Sequence, residues 1–457
     1  MNVFLLSTYE LGHQPLGLAR PAAHLRAAGH DVSLADLAVE HLPEAAVRAA
    51  DVVGISVPMH TATRLGVRLA ERVRALNPGA HLCFYGLYAS LNAEALLGTY
   101  ADSIIGGEFE APLVSMVDRL AAGDGPLGHG VLTLDGGDVF LDHQSFELPA
   151  REQLPPLERY ARLDDGAHPG RLAGYVEASR GCAHRCLHCP IPPVYAGRLR
   201  IVPADVVLGD IRQLVRMGAE HITFGDPDFF NGIKHSLRIL EAVHAEFPNL
   251  TYDATIKIEH LLEHQQQLGT LKATGCVFVV SAVESIDDRV LAHLRKGHTA
   301  ADVEQALDLV TAQGLVLRPT FLPFTPWTSL DGYLDLLEFI ERRRLIRHVD
   351  PVQLAVRLLV PRGSSLVGSP ALDGRLGPFD PATFSYVWQH PDPRVDALQR
   401  QVAAVVEQQA RAPAADAVNT FYVIKDLALA ALGRPANSSR VRLPVEAVPR
   451  LSEPWFC

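Results

Sequence analysis

"SRGCAHRCLHCP", residues 179–190, holds three of the chain's six cysteines within eight positions. Cys182, Cys186 and Cys189 are spaced C-x3-C-x2-C and directly follow a strand-like stretch, "YVEAS" (175–179). Two residues between the last pair put both thiols on one tight turn, where they can share a metal. With no fourth cysteine close by, three thiolates on one loop suit a cluster that keeps one coordination position open. A structural zinc site wants four closed ligands, usually two C-x2-C pairs far apart. His184, His188, Cys276 or Cys457 would have to complete it. The neighbours of the cysteines are Arg, His and Gly, which argues against inert core thiols.

The rest of the chain sets the context for this loop. At 457 residues, two or three domains are expected. Hydrophobic residues make up 48% and charged residues 20%, the balance of a folded globular protein. Lys and Arg number 41 against 52 Asp and Glu, a net charge of −11, and no basic stripe stands out. Nucleic acid is therefore not an expected partner. "MNVFLLSTYE" lacks a basic leader, and no window reaches the length of a membrane span. The expectation is a cytoplasmic protein without a membrane partner. In a reducing compartment, a close cysteine cluster reads as metal-binding or catalytic.

Strand and helix patterns alternate through residues 1–125. Apolar strands are expected at 2–7, 31–36, 51–58, 81–86 and 101–110, with helices over 20–28, 62–76 and up to 120. This predicts a doubly wound parallel sheet, whose ligands sit beyond the carboxyl ends of the strands. The candidate loops are 7–10, 56–61, 86–90 and 106–110, with Ser56, Pro58, Gly86, Tyr88, Gly107 and Glu108 as candidate ligand-binding residues. Residues 126–173 read as a hairpin ("GVLTLDGGDVFLD", 130–142) and linker. Over 174–366 six strand–helix units follow one another, with strands at 175–179, 221–226, 251–256, 276–285, 316–323 and 352–360. Such a series predicts a partial parallel barrel with functional residues at the strand ends. Residues 367–457 form a small, mostly helical region and tail, with helices near 394–410 and 418–432.

C-x3-C-x2-C after the first strand of a (β/α)6 partial barrel resembles the signature of the radical S-adenosylmethionine (radical SAM) superfamily. The resemblance implies that Cys182, Cys186 and Cys189 hold a [4Fe–4S] cluster and that S-adenosylmethionine (SAM) chelates its fourth iron. It also implies reductive cleavage of SAM to a carbon radical, with flavodoxin or ferredoxin as reductant. By position, "FGDPDF" (224–229) assigns Gly225 and Asp226 to SAM, and "SAVES" (281–285) assigns Glu284 and Ser285. "LRKGH" (294–298) looks like the Lys-Gly that follows in B12-type members. "QLAVRLLVPRGSSL" (353–366) adds Gln353 and Arg357 to the SAM set.

A second resemblance lies ahead of the cysteines. "PLGLARPAAHLRAAGHDV" (15–32), "ADVVGISVPMHTAT" (50–63) and "ADSIIGGEFEAPL" (101–113) look like the cobalamin-binding domain of B12-dependent radical SAM enzymes. The six candidate loop residues would then contact cobalamin or the substrate. Tyr88 stands where many members carry a histidine, and D-x-H-x-x-G is absent. The tail "LSEPWFC" resembles a group of these enzymes ending in a Cys/selenocysteine-Cys-Ala-Glu-Pro tail. Part of that group is linked to 3-amino-3-carboxypropyl transfer to arsenite. Arg450–Leu451 replaces the thiol pair here, leaving Cys457, with Cys276, as a candidate substrate or auxiliary thiol.

The expected protein is a transferase-type radical SAM enzyme that modifies a small molecule in specialised metabolism, by cobalamin-assisted methyl transfer. The alternatives are cobalamin-independent radical chemistry of the arsenite type and, from another class, a non-catalytic iron–sulfur or zinc protein.

Overall fold

Five short apolar runs, each sheltered by helices, make the first sheet of the computed structural model, which describes residues 1–166, 168–412, 416–436 and 447–452. They are β1 (Asn2–Ser7), β2 (Asp31–Asp36), β3 (Val52–Ser56), β4 (His81–Tyr85) and β5 (Ser103–Ile105). All pair in parallel, in the order β2-β1-β3-β4-β5. Alternate residues feed two cores, Phe4, Leu6, Val53 and Ile55 on one face and Val3, Leu5 and Val52 on the other. The winding reverses between β1 and β3, where such sheets open a crevice.

The first helix, Leu16–Ala27, starts earlier than its sequence pattern suggests and contains Pro21. A proline cannot donate to the carbonyl four residues before it. That carbonyl belongs to Gly17, and the Tyr85 hydroxyl donates to it at 2.9 Å. Gly17 also lets the helix press on β3, since a Cβ there would lie 2.6 Å from Ser56 Oγ.

Residues 130–142 do more than form the expected hairpin. Only Thr133 and Gly136 bridge each other, while Leu132 bridges Ile104 and Phe140 bridges Gly107. The segment lies along β5 and covers the open edge of the first sheet.

Strands β6 (Arg162–Asp164) and β7 (Pro169–Val176) follow, then β8 (Ser179–Gly181) and β9 (Leu199–Ile201), an antiparallel pair that brackets the cysteine loop. After them come β10 (His221–Phe224), β11 (Thr251–Thr255), β12 (Cys276–Glu284) and β13 (Val316–Phe321). β7, β10, β11, β12 and β13 are parallel neighbours, the half-barrel expected from the sequence, and β6 adds antiparallel to β7. The sixth expected strand is different. Pro351–Leu354 is a 3-10 turn, and beyond it only Arg357 bridges back, to Phe324. Pro351 has no N–H for a ladder, and the Gln353 side chain accepts from the Phe321 N–H at 3.2 Å in place of a strand carbonyl.

The C-terminal part contributes a hairpin, β14 (Leu376–Asp380) with β15 (Ser385–Trp388), and the helices Pro393–Ala410 and Ala417–Ala431. A last strand, β16 (Arg450–Leu451), pairs with β6. Just before it, the Pro449 carbonyl accepts from Arg318 on β13 at 3.2 Å. This stretch thus links the two borders of the half-barrel sheet. No described helix is long and apolar enough to cross a membrane.

The two sheets are joined through Arg151, which is 1% exposed. Its guanidinium donates to both oxygens of Asp210 at 2.9 and 2.8 Å, to Gln14 Oε1 at 3.0 Å and to the Tyr175 carbonyl at 2.7 Å. Removing one side of a buried, fully bonded pair strands the other charge. Arg151→Ala is expected to cost about 3–5 kcal/mol in denaturant unfolding, with part of the loss recovered in Arg151→Ala/Asp210→Asn.

Candidate active site at the facing sheet edges

The three residues before Cys182 each anchor the cysteine loop in a different way. Ser179 donates to Asp226 Oδ1 at 2.6 Å, and the Ala178 N–H donates to Asp226 Oδ2 at 2.9 Å. Asp226 is fully enclosed, and burial pushes its carboxyl up to about 7. Arg180 reaches across to the first sheet. It forms a two-pronged pair with Glu110, lies 3.3 Å from Glu108 and 3.1 Å from Glu177, and sits 5.0 Å over the Phe109 ring. Burial alone would raise Glu110, but Arg180 holds it down to about 2. Gly181 has φ +72°, and a Cβ would stand 2.2 Å from the Arg198 carbonyl. Only glycine fits that turn.

Cys182, Cys186 and Cys189 then project from one loop beyond the carboxyl end of β7, the first two buried and the third half-buried. Asn231 Nδ2 donates to Cys182 Sγ at 3.4 Å. Cys83 lies inside β4, and Cys276 opens β12 at the amino-terminal edge, the far end of the half-barrel from the loop. Cys276 Sγ donates to the Phe278 carbonyl, and burial pushes its thiol far up. Cys276 is therefore a core residue and not an auxiliary thiol. Cys457 lies outside the described residues. His184 and His188 face carboxylates and not the cysteines: His184 Nε2 lies 3.2 Å from Asp228 and His188 Nε2 lies 3.2 Å from Glu284.

Glu284 occupies the best-prepared position of the expected SAM set. Its φ is +68°, costly for a residue with a side chain, and the β12–β13 register shifts there. The bulge directs the carboxylate at His188 on the cysteine loop and at Lys296, 3.5 Å away. Burial would raise its pKa, yet Lys296 and His188 hold it down to about 2.

The remaining expected residues are more structural. Ser285 Oγ accepts from the Asp287 N–H in a local turn. Gly225 makes room for a ring, since a Cβ would lie 2.0 Å from the Tyr175 hydroxyl. Gln353 ties down β13, as described above. Arg357 donates to Asp396 at 2.6 Å and to the Trp388 carbonyl at 2.7 Å, with its guanidinium 3.5 Å over the Trp388 ring.

A cavity of about 200 Å³ opens beside the cysteine loop. Tyr88 and Leu91 of the first domain wall it on one side, and His188, Arg357, Leu358 and Ser364 on the other. Tyr88 is thus brought to the site, and Gly86 (φ +105°) makes the turn that places it. Half-buried Pro58 lies at the same carboxyl edge. Ser56, Gly107 and Glu108 are not open to a ligand. Ser56 is packed under Gly17, the space beside Gly107 is filled by the Phe140 carbonyl, and Glu108 accepts from Tyr195 at 3.1 Å and Gln144 at 3.1 Å.

The family profile of the radical SAM superfamily matches residues 176–337, and that of the B12 binding domain matches residues 2–117. The chain carries a B12-binding domain followed by a radical SAM domain. It is 28% identical over 327 residues to a hopanoid C-3 methylase from Methylococcus capsulatus, covering 69% of this chain and 62% of that protein. It is 22% identical over 302 residues to a bacteriochlorophyllide d C-8(2)-methyltransferase from Chlorobaculum tepidum, covering 64% of this chain and 62% of that one. The chain therefore spans about three-fifths of these relatives' length. Among solved structures, the cobalamin-dependent SAM radical enzyme OxsB superposes with a TM-score of 0.73 at 15% identity, over 94% of this chain and 72% of that chain. The radical SAM methyltransferase TsrM from Kitasatospora setae superposes with a TM-score of 0.68 at 16% identity, over 95% and 96%. These two likenesses concern the fold.

A radical SAM domain implies a [4Fe–4S] cluster and SAM, and the donor set fits. Three thiols share one loop, no other described cysteine reaches them, and an amide donates to one sulfur. His188 Nδ1 is buried without a partner at the cavity wall, where a polar ligand could engage it.

Cys182→Ala, Cys186→Ala and Cys189→Ala should each lose the iron and sulfide of the reconstituted protein, while Cys83→Ala and Cys276→Ala keep them. Glu284 supplies a pH signature. Its folded pKa of about 2 lies below the ordinary 4.5, so its stabilisation is complete above about pH 5 and lost as the pH falls towards 2. Glu284→Gln should flatten that acid limb in unfolding titrations.

Proposed function

We propose that this protein is a cobalamin-dependent radical SAM methyltransferase acting on a small molecule. The observation that carries the reading is the shared cavity. The first domain lends it Tyr88 and Leu91, and the half-barrel lends it His188 beside the cysteines. The names of the two curated relatives, a methylase and a methyltransferase, support the same reaction class.

When bound, the cluster, SAM and cobalamin supply an electron, a cleavable carbon–sulfur bond and a methyl carrier. The chain's own residues bind, orient and exclude water. Glu284, fixed by Lys296 and His188, offers a lasting carboxylate for the cationic part of SAM. Asp226 and Ser179 hold the base of the cysteine loop in place. Leu91, Leu322, Val356 and Leu358 give the cavity apolar walls that keep water from a reactive intermediate. These walls suit a substrate whose acceptor atom lies in an apolar part of the molecule. At about 200 Å³ and open to the surface, the cavity is smaller than the roughly 300–1,000 Å³ of ordinary ligand sites, and its walls come from two domains. A flavodoxin- or ferredoxin-like reductant and a cytoplasmic setting complete the reading.

Protein produced with cobalamin should purify with a corrin absorption band. Given reductant and SAM, it should form 5′-deoxyadenosine and methionine from one SAM, and S-adenosylhomocysteine from a second SAM whose labelled methyl group reaches an acceptor. Methylthioadenosine as the product would overturn methyl transfer in favour of the 3-amino-3-carboxypropyl route. Neither product, with the cluster intact, would overturn the enzymatic reading.

A further inference from the structure

Just outside the cysteines, three side chains from three successive strand ends converge. His184 lies in the cysteine loop after β7, Asp228 follows β10, and His260 sits on the helix Ile258–Glu263 after β11. Asp228 Oδ2 is 3.2 Å from His184 Nε2 and 2.7 Å from His260 Nδ1. All three atoms are buried, and none of them has a hydrogen-bond partner despite these short separations. Asp228 is only 2% exposed. Leaving three such atoms unbonded is costly. The three ligand atoms lie within 4.8 Å of one another, close enough for one ion to meet all three.

We propose that His184, Asp228 and His260 bind a divalent metal ion, zinc by the chemistry of the donors, separate from the cysteine-held cluster. Two imidazole nitrogens and a carboxylate oxygen are a zinc-type set. Tetrahedral bonds of about 2.0–2.1 Å put neighbouring donors roughly 3.3 Å apart. The carboxylate oxygen lies 3.2 and 2.7 Å from the two nitrogens, and all three atoms lie within 4.8 Å of one another, so small side-chain adjustments bring them round one ion. The surroundings fit as well. A histidine bound through Nε2 keeps its proton on Nδ1 and needs an acceptor there. The Glu259 carboxylate lies 3.6 Å from His184 Nδ1. Lys257 Nζ donates to that same nitrogen at 3.2 Å and pairs directly with Glu259, so a metal on Nε2 requires Nδ1 to take up a proton and exchange this donor for the Glu259 carboxylate. With a net charge of +1 from one Zn²⁺ and one carboxylate, a site that also faces this compensated lysine does not repel its ion.

Such an ion would fasten the cysteine loop to the ends of β10 and β11. With three protein ligands the fourth position is left to water, and the shared cavity is walled by other residues. The inference does not depend on methyl transfer or on cobalamin.

The test uses the protein with its cluster assembled, so that the thiols are already occupied. After incubation with zinc chloride and desalting, metal analysis should find one zinc per chain beyond the cluster iron. Asp228→Asn and His260→Gln should bind zinc at least about 100-fold more weakly, because losing a ligand costs more than losing a supporting residue. The cluster iron of these variants serves as the folding control. Cobalt(II) in place of zinc should show ligand-field bands without a thiolate charge-transfer band. If the cluster-loaded protein retains no zinc, the proposal is wrong. It is equally wrong if cobalt bound to the cluster-loaded protein shows a thiolate charge-transfer band, or if Asp228→Asn and His260→Gln with their clusters intact hold zinc as tightly as the unaltered protein.

Discussion

Arg180 is the residue on which the arrangement turns. It sits two positions before the first cysteine, yet its guanidinium is bonded to Glu110 and Glu108 at the carboxyl edge of the other sheet. Arg20 makes the reciprocal connection, from the first helix to Glu177 at 2.6 Å. Two guanidinium groups thus face three carboxylates, two of them fully buried, and Tyr195 and Gln144 satisfy further oxygens. Buried pairs of this kind add little net stability compared with apolar packing, but they tolerate only one geometry. The cysteine loop and the first domain therefore cannot settle independently.

The consequence is chemical. In both sheets the parallel strands end at the same interface, and parallel strand ends are where side chains are free to act on ligands. Locking the two edges face to face turns two ordinary crevices into one cavity. The bulge at Glu284 works in the same direction. It accepts an unfavourable backbone conformation so that one carboxylate meets both the cysteine loop and Lys296.

Much of this was legible in the sequence. The C-x3-C-x2-C spacing located the loop, and the alternation of apolar runs gave both sheets, because parallel strands buried on two faces leave a strong local signal. Glu284, assigned by the family resemblance, and Tyr88, in a candidate loop after a strand, both come to lie beside the cysteine loop. What escaped depends on long-range contacts. Nothing local marks Arg180 as a bridge to Glu110, or His188 as the partner of Glu284, ninety-six positions away. Gly107 and Glu108 looked like ligand-binding residues because a glycine pair after a strand suggests an open loop, whereas residues 139–141 pack directly on them. The last barrel strand was overestimated, since its apolar pattern is that of a strand while Pro351 and the Gln353 side chain replace the ladder. His188 could have been noticed as a second histidine in the loop beside an acidic strand end.

Function here depends on three thiols holding a cluster that leaves one iron open to SAM. Electron paramagnetic resonance of the reduced protein, recorded with and without SAM, tests this directly. SAM should shift the g-values of the cluster signal, and the shift should be lessened in Glu284→Gln. A spectrum that is identical with and without saturating SAM would contradict an open, SAM-accessible iron.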